Sequence, residues 1–206
     1  MKARLAAAVV AVLLLSPGTA TASEALPPLE VRTATATLCP TTGAQEELTG
    51  EGIALEAVEP AVDADVHGRR CVRLPVTGRM ALDLDAVDVT ADGGVRFVRS
   101  DGAELRFHSV HARDENGRIV VRATVNDRDD TVEFFAVDVS DISATPTVEP
   151  VGLAMTTALP VTDDVAREFE QAFGDATFEA GDELFDGSGD VELVSPVDVL
   201  TGLVAV

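Results

Sequence analysis

From Leu29 onward the chain alternates apolar and polar residues with a period of two, in short runs broken by turn residues. That period sends successive side chains to opposite faces of a strand, so the pattern predicts half-buried antiparallel sheet. Val31 to Leu38 is rich in Thr and β-branched residues, and Gly52 to Val58 and Cys71 to Val76 are short apolar runs flanked by Gly and Pro. Met80, Leu82 and Leu84 alternate with Ala81, Asp83 and Asp85, after which Val87 and Val89 take the opposite phase. Such a phase flip predicts a bulge near Ala86. Asp92-Gly93-Gly94, Asp101-Gly102, Asn116-Gly117 and Asn126 to Asp130 then punctuate a series of expected hairpins. Asn116-Gly117 is the strongest of these signals, because both residues tolerate a positive φ. The expected fold is mainly β, an antiparallel β-sandwich or barrel-like domain.

One segment breaks the alternation. Thr162-Asp163-Asp164 reads as an N-cap followed by acids in the first turn, where they meet the positive end of the helix dipole. Val165, Phe169, Ala172 and Phe173 recur at helical spacing and Gly174 stops the run, which predicts one short α-helix near 163–173. A Gly-rich stretch from Gly181 to Gly189 follows, and then a final strand pair within Val191 to Val206. No low-complexity linker divides the chain, so residues 23–206 are read as a single β-rich domain.

Residues 1–22 carry the three parts of a secretory signal peptide. Lys2 and Arg4 form the positive region, Leu5 to Leu15 an uncharged apolar run, and Ala20-Thr21-Ala22 the small residues of a cleavage site. The apolar run is too short for a bilayer core of about 30 Å, so no transmembrane anchor is expected after cleavage. The expected destination is secreted, extracellular or cell-wall associated. In an oxidising compartment Cys39 and Cys71 read as a disulfide, with a metal pair or free thiols as the alternatives.

Composition narrows the function classes. Acids outnumber bases 36 to 15, for a formal charge of −21. Binding to a nucleic-acid backbone needs the reverse balance and is excluded. Lys2 is the sole lysine, so every basic residue of the exported chain is Arg. A GC-rich genome and adaptation to high salt both produce that pattern. Trp and Tyr are absent, which removes most stacking platforms for sugars and bases.

No catalytic motif stands out. Gly187-Ser188-Gly189 is not a nucleophile elbow, because its glycines flank the serine directly. His67, His108 and His111 each lack a local partner pattern, and a non-enzymatic chain is expected. His108 and His111 are the most suggestive pair, either as polar residues on a solvated strand face or as one metal or haem ligand. Their spacing of three places them on opposite faces of an unbroken strand. Asp182, Asp186 and Asp190 recur around two glycines and invite calcium, although they do not follow the EF-hand order and such clusters arise by chance in an acidic chain.

The stretch from Leu153-Ala154-Met155-Thr156-Thr157 to Val191-Glu192-Leu193 resembles the closing segment of HtaA-type haem-binding domains secreted by actinobacteria. It joins a strand, a Thr-capped helix ending in Ala172-Phe173-Gly174, the step Phe178-Glu179-Ala180-Gly181 and a last apolar strand. The resemblance implies a β-rich fold at the cell surface and haem held with the help of Tyr and His. This chain has no Tyr, so the resemblance speaks first for fold and setting. Two readings are therefore carried forward. One is a secreted, non-enzymatic β-rich domain acting at or outside the cell envelope. The other is a haem- or metal-binding carrier using His108 or His111. Partner identity is not written in the sequence.

Overall fold

The computed structural model describes residues 28–174 and 177–194. The expected signal peptide and the end of the expected last strand pair lie outside them. The described chain is antiparallel β with two helices, in the barrel-like form. Its strands are β1 (Leu29–Pro40), β2 (Ile53–Val58), β3 (Val62–Val66), β4 (Arg69–Met80), β5 (Val87–Arg99) and β6 (Glu104–Asp114). They continue with β7 (Arg118–Val125), β8 (Thr131–Asp138), β9 (Ser143–Val148), β10 (Val151–Pro160) and β11 (Glu183–Leu193). The helices are α1 (Thr42–Gly50) and α2 (Asp163–Phe173). One curled sheet runs β8-β7-β6-β5-β4-β1-β11-β10-β9, with β2 paired to β5 and β3 to β4 beside the main path.

Alternation explains most of these strands, and turn chemistry explains the joins. Asn116 and Gly117 both sit at positive φ, 58° and 79°, and close the β6–β7 hairpin as expected. The phase flip after Leu84 is a reversal rather than a bulge. Ala81 donates to the Ala86 carbonyl at 2.8 Å and β5 starts afresh at Val87. The bulge lies instead at Asp92-Gly93, where a turn was expected. The β5–β6 register slips there between Ala91 and Gly94, and β5 continues. Gly93 has φ +87°, and a Cβ on it would stand 2.4 Å from the Val58 carbonyl oxygen, so the bulge needs glycine. The last described strand also starts earlier than the expected Val191: β11 takes in most of the Gly-rich stretch and runs between β1 and β10.

The eight Phe residues gather at one end of the curl. Phe97 meets Phe169 of α2 at 4.8 Å between ring centroids, and Phe169 meets Phe178 at 5.0 Å. Phe107, Phe134, Phe135, Phe173 and Phe185 complete this buried cluster. α2 thus plugs that end with the face its spacing foretold. Thr162 caps it, accepting from Val165 N at 3.2 Å. Arg128 clamps it from outside, 2.7 Å from the nearly buried carboxylate of Glu168. The other end is aliphatic: Met80, Leu84, Val87, Leu153 and Leu193 form a second cluster.

The sheet edges are handled differently. Glu133 on edge strand β8 is satisfied by the start of α2. Its carbonyl accepts from Thr162 Oγ1 at 2.5 Å and its amide donates to Asp164 Oδ2 at 3.1 Å. Edge strand β9 is exposed along its length and carries Pro146, which has no amide to offer a further strand.

Cys39, at the end of β1, is bonded to Cys71 of β4, with Cα atoms 4.3 Å apart. The β1–β4 register brings Leu38 opposite Val72, so the two sulfurs meet across adjacent strands. Both are buried.

Candidate ligand-binding site

Between the aromatic plug and the aliphatic end lies a cavity of about 220 Å³. Strand alternation builds it. On β4, Leu74 and Val76 point inward; on β6, Val110 and Ala112; on β7, Ile119 and Val121; on β10, Met155, Thr157 and Leu159. β1 and β11 supply small residues, with Ala36 facing Gly189 in register. A Cβ on Gly187 would stand 2.8 Å from Leu159 Cδ1, so glycine there leaves the leucine its place. Among the described residues no Asp, Glu, Arg, Lys or His lines the cavity. Its walls can hold a ligand by burial of apolar area, but they offer no group that titrates near neutral pH.

The two histidines lie outside it. Ser109 takes φ 52°, and the β6–β7 register slips between His108 and His111. This bulge restores the inward phase from Phe107 to Val110, both of which are buried. It therefore puts both histidines on the outer surface, where an unbroken strand would have separated them. They remain apart in their partners. His108 Nε2 is 2.6 Å from the Asn126 carbonyl oxygen and Nδ1 is 3.0 Å from Ser109 Oγ. His111 Nε2 is 2.6 Å from Asp88 Oδ1. His108 borders a polar cleft with Glu59, Asp92, Arg106 and Asp127, formed where the two bulges face each other.

The hydrogen bond from His111 holds the Asp88 carboxyl below its usual range, with the Arg113 guanidinium adding to the effect and desolvation opposing it. A lowered carboxyl pKa adds stability that is present above the usual value and lost as pH falls through the lowered one. The Asp88 titration followed by carboxyl NMR is thus expected to have its midpoint below 3.8, and His111→Ala should move it up. An unmoved midpoint would remove the bond from the account.

The three acids of the Gly-rich stretch do not converge. Asp186 and Asp190 are four residues apart on one strand, about 13 Å at the usual rise. Asp186 is paired with Arg69, and Asp182 accepts from the Glu179 amide at 2.8 Å in the preceding turn. Among the described residues no three His, Cys, Asp or Glu side chains group closely enough to hold a metal ion. No helix among them is long and apolar enough to cross a membrane.

No family model matches the chain, and no curated protein matches it. Solved structures do. The C-terminal domain of HtaA from Corynebacterium glutamicum aligns over 81% of this chain and 99% of its own, with a TM-score of 0.57 and 11% identity. The haem-binding protein HtaB from Corynebacterium glutamicum aligns over 81% and 96%, with a TM-score of 0.51 and 12% identity. At these identities the likeness is one of fold, and the chain resembles HtaA-type domains in that sense. A haem site joins apolar walls to an iron ligand such as His, Cys, Met or Tyr. Here the apolar walls and the imidazoles are in different places. Inside the cavity the thioethers of Met80 and Met155 are the side chains of that kind, and both nitrogens of His108 are engaged in a polar cleft. The described residues do not fit a haem as one site.

Proposed function

We propose that this chain is an exported, non-enzymatic binding domain that works at or outside the cell envelope and holds an apolar ligand inside its half-barrel. The observation that carries this reading is the interior cavity, apolar on its walls and without a titratable side chain. Such a place favours retention over reaction, because proton transfer and nucleophilic attack both need polar groups beside the ligand. The signal-peptide pattern of residues 1–22 supports export. A hydrolase or transferase activity of the purified exported protein, abolished by one point substitution, would sink the reading.

The second reading is haem or metal carriage through His108 or His111, favoured by the fold shared with a haem-binding protein. Hemin titration of the exported protein tests it. On the first reading, any Soret shift is expected to survive joint replacement of His108 and His111 by alanine. A shift lost in the double variant would transfer the function to the outer cleft.

A further inference from the structure

We propose that the unplugged half of the barrel is a binding site for a small uncharged aliphatic molecule, of the size and polarity of a medium-chain alcohol. This deepens the binding-domain reading and rests on it. Four observations carry the assignment.

First, the inward side chains of this half are apolar yet incompletely covered. Val76, Val89, Ala112, Val121 and Met155 point inward by strand alternation, and each keeps partial exposure. The core residues beside the aromatic plug, such as Phe97 and Leu105, have none. Apolar surface that faces inward and still meets water costs free energy that an apolar ligand would recover.

Second, the space is held open by residue choice. Ala36, Ala91, Ala112, Gly187 and Gly189 stand where larger side chains would fill the volume. A Cβ on Gly189 would come within 3.3 Å of Cε of Met155, its partner on the adjacent strand, so glycine there leaves the methionine its place along the wall.

Third, the volume of about 220 Å³ selects the ligand class. It exceeds the roughly 150 Å³ apolar cavity that takes up benzene, and it is below the usual range of about 300–1,000 Å³ for drug-sized ligands.

Fourth, the polarity of the walls excludes charge. With no Arg, Lys or His among the described residues of the lining, a carboxylate headgroup would be buried without a partner. Among the described lining residues Thr157 lies on the inward face, and its hydroxyl is already engaged, donating to its neighbour's carbonyl, Ala158 O, at 3.2 Å.

The test is isothermal titration of the whole exported protein with 1-octanol and, separately, with octanoate. Octanol is expected to bind, and octanoate at least about tenfold more weakly, because the anion loses its hydration without gaining a partner. Ala112→Leu and Ala36→Leu, which fill the cavity from different strands, should each weaken octanol by about tenfold or more while leaving the melting temperature level or raised, as cavity filling does. No octanol binding, equal affinity for the anion, or full affinity in both folded variants would overturn the assignment. Should a variant fail to fold, the comparison of alcohol with carboxylate on the unaltered protein decides alone. Hemin binding without octanol binding would reject this site and leave the broader binding-domain reading standing.

Discussion

Replacing Cys39 and Cys71 together by alanine is expected to lower stability by about 3–4 kcal/mol, the chain-entropy value for opening a loop of this length. The two cysteines are 32 residues apart in sequence, and the loop between them holds α1, β2 and β3. Each of these elements is short, and β2 and β3 hang on the main sheet through one neighbour each. Without the bond, the unfolded chain regains the freedom of that whole loop, while the native β1–β4 pairing remains. For a chain of this size the loss corresponds to a fall in melting temperature of roughly 6–16 °C, at about 2–4 °C per kcal/mol. Scanning calorimetry of the double variant measures it. A change of less than about 2 °C would mean that strand pairing alone closes the loop.

Phe169→Ala is expected to cost as much or more, about 3–5 kcal/mol, in the range for large aromatic truncations in a core. Phe169 is fully buried, and its ring lies between those of Phe97, Phe173 and Phe178, at 4.8, 5.7 and 5.0 Å. Removing it leaves a void that three neighbouring rings cannot close without moving α2 off the end of the barrel. Phe169→Leu keeps most of the volume and is expected to cost clearly less. Equal losses from the two substitutions in urea unfolding would show that ring geometry rather than filled volume holds the plug.

Local pattern made one helix legible and hid the other. α2 announces itself through four apolar residues on one face, a Thr cap and a terminal glycine. α1 carries only Ala44 and Leu48 as buried contacts and contains glycine at two of its nine positions. Its cap, Thr41 accepting from Ala44 N at 3.2 Å, is real, but two apolar residues do not make a readable stripe. The same contrast separates the two kinds of bulge. Gly93 is a visible punctuation mark, misread as a turn because a strand can continue past it. Ser109 at φ 52° has no sequence signal at all, since serine pays for that conformation only where the pairing on both sides demands it.

The candidate site divides along the same line. His108 and His111 were visible as residues, but their shared outward placement follows from the slip at Ser109. Ala36, Val76, Ala112, Val121, Met155 and Gly189 looked like ordinary strand residues. They come together only because the sheet curls until β10 approaches β8.

Sequence alone determined what repeats over short distances: period-two strands, the Asn116-Gly117 turn, the α2 stripe, and a cysteine pair fit for an oxidising compartment. Each rests on backbone preference or on neighbours a few residues away. Tertiary structure decided the strand order, with β11 inserted between β1 and β10, the plugging of one end by eight phenylalanines, and the apolar space left at the other. Those features depend on sheet curl and on the sum of side-chain volumes from strands more than a hundred residues apart. Alternation says which face of each strand is apolar, and closure decides what that face encloses.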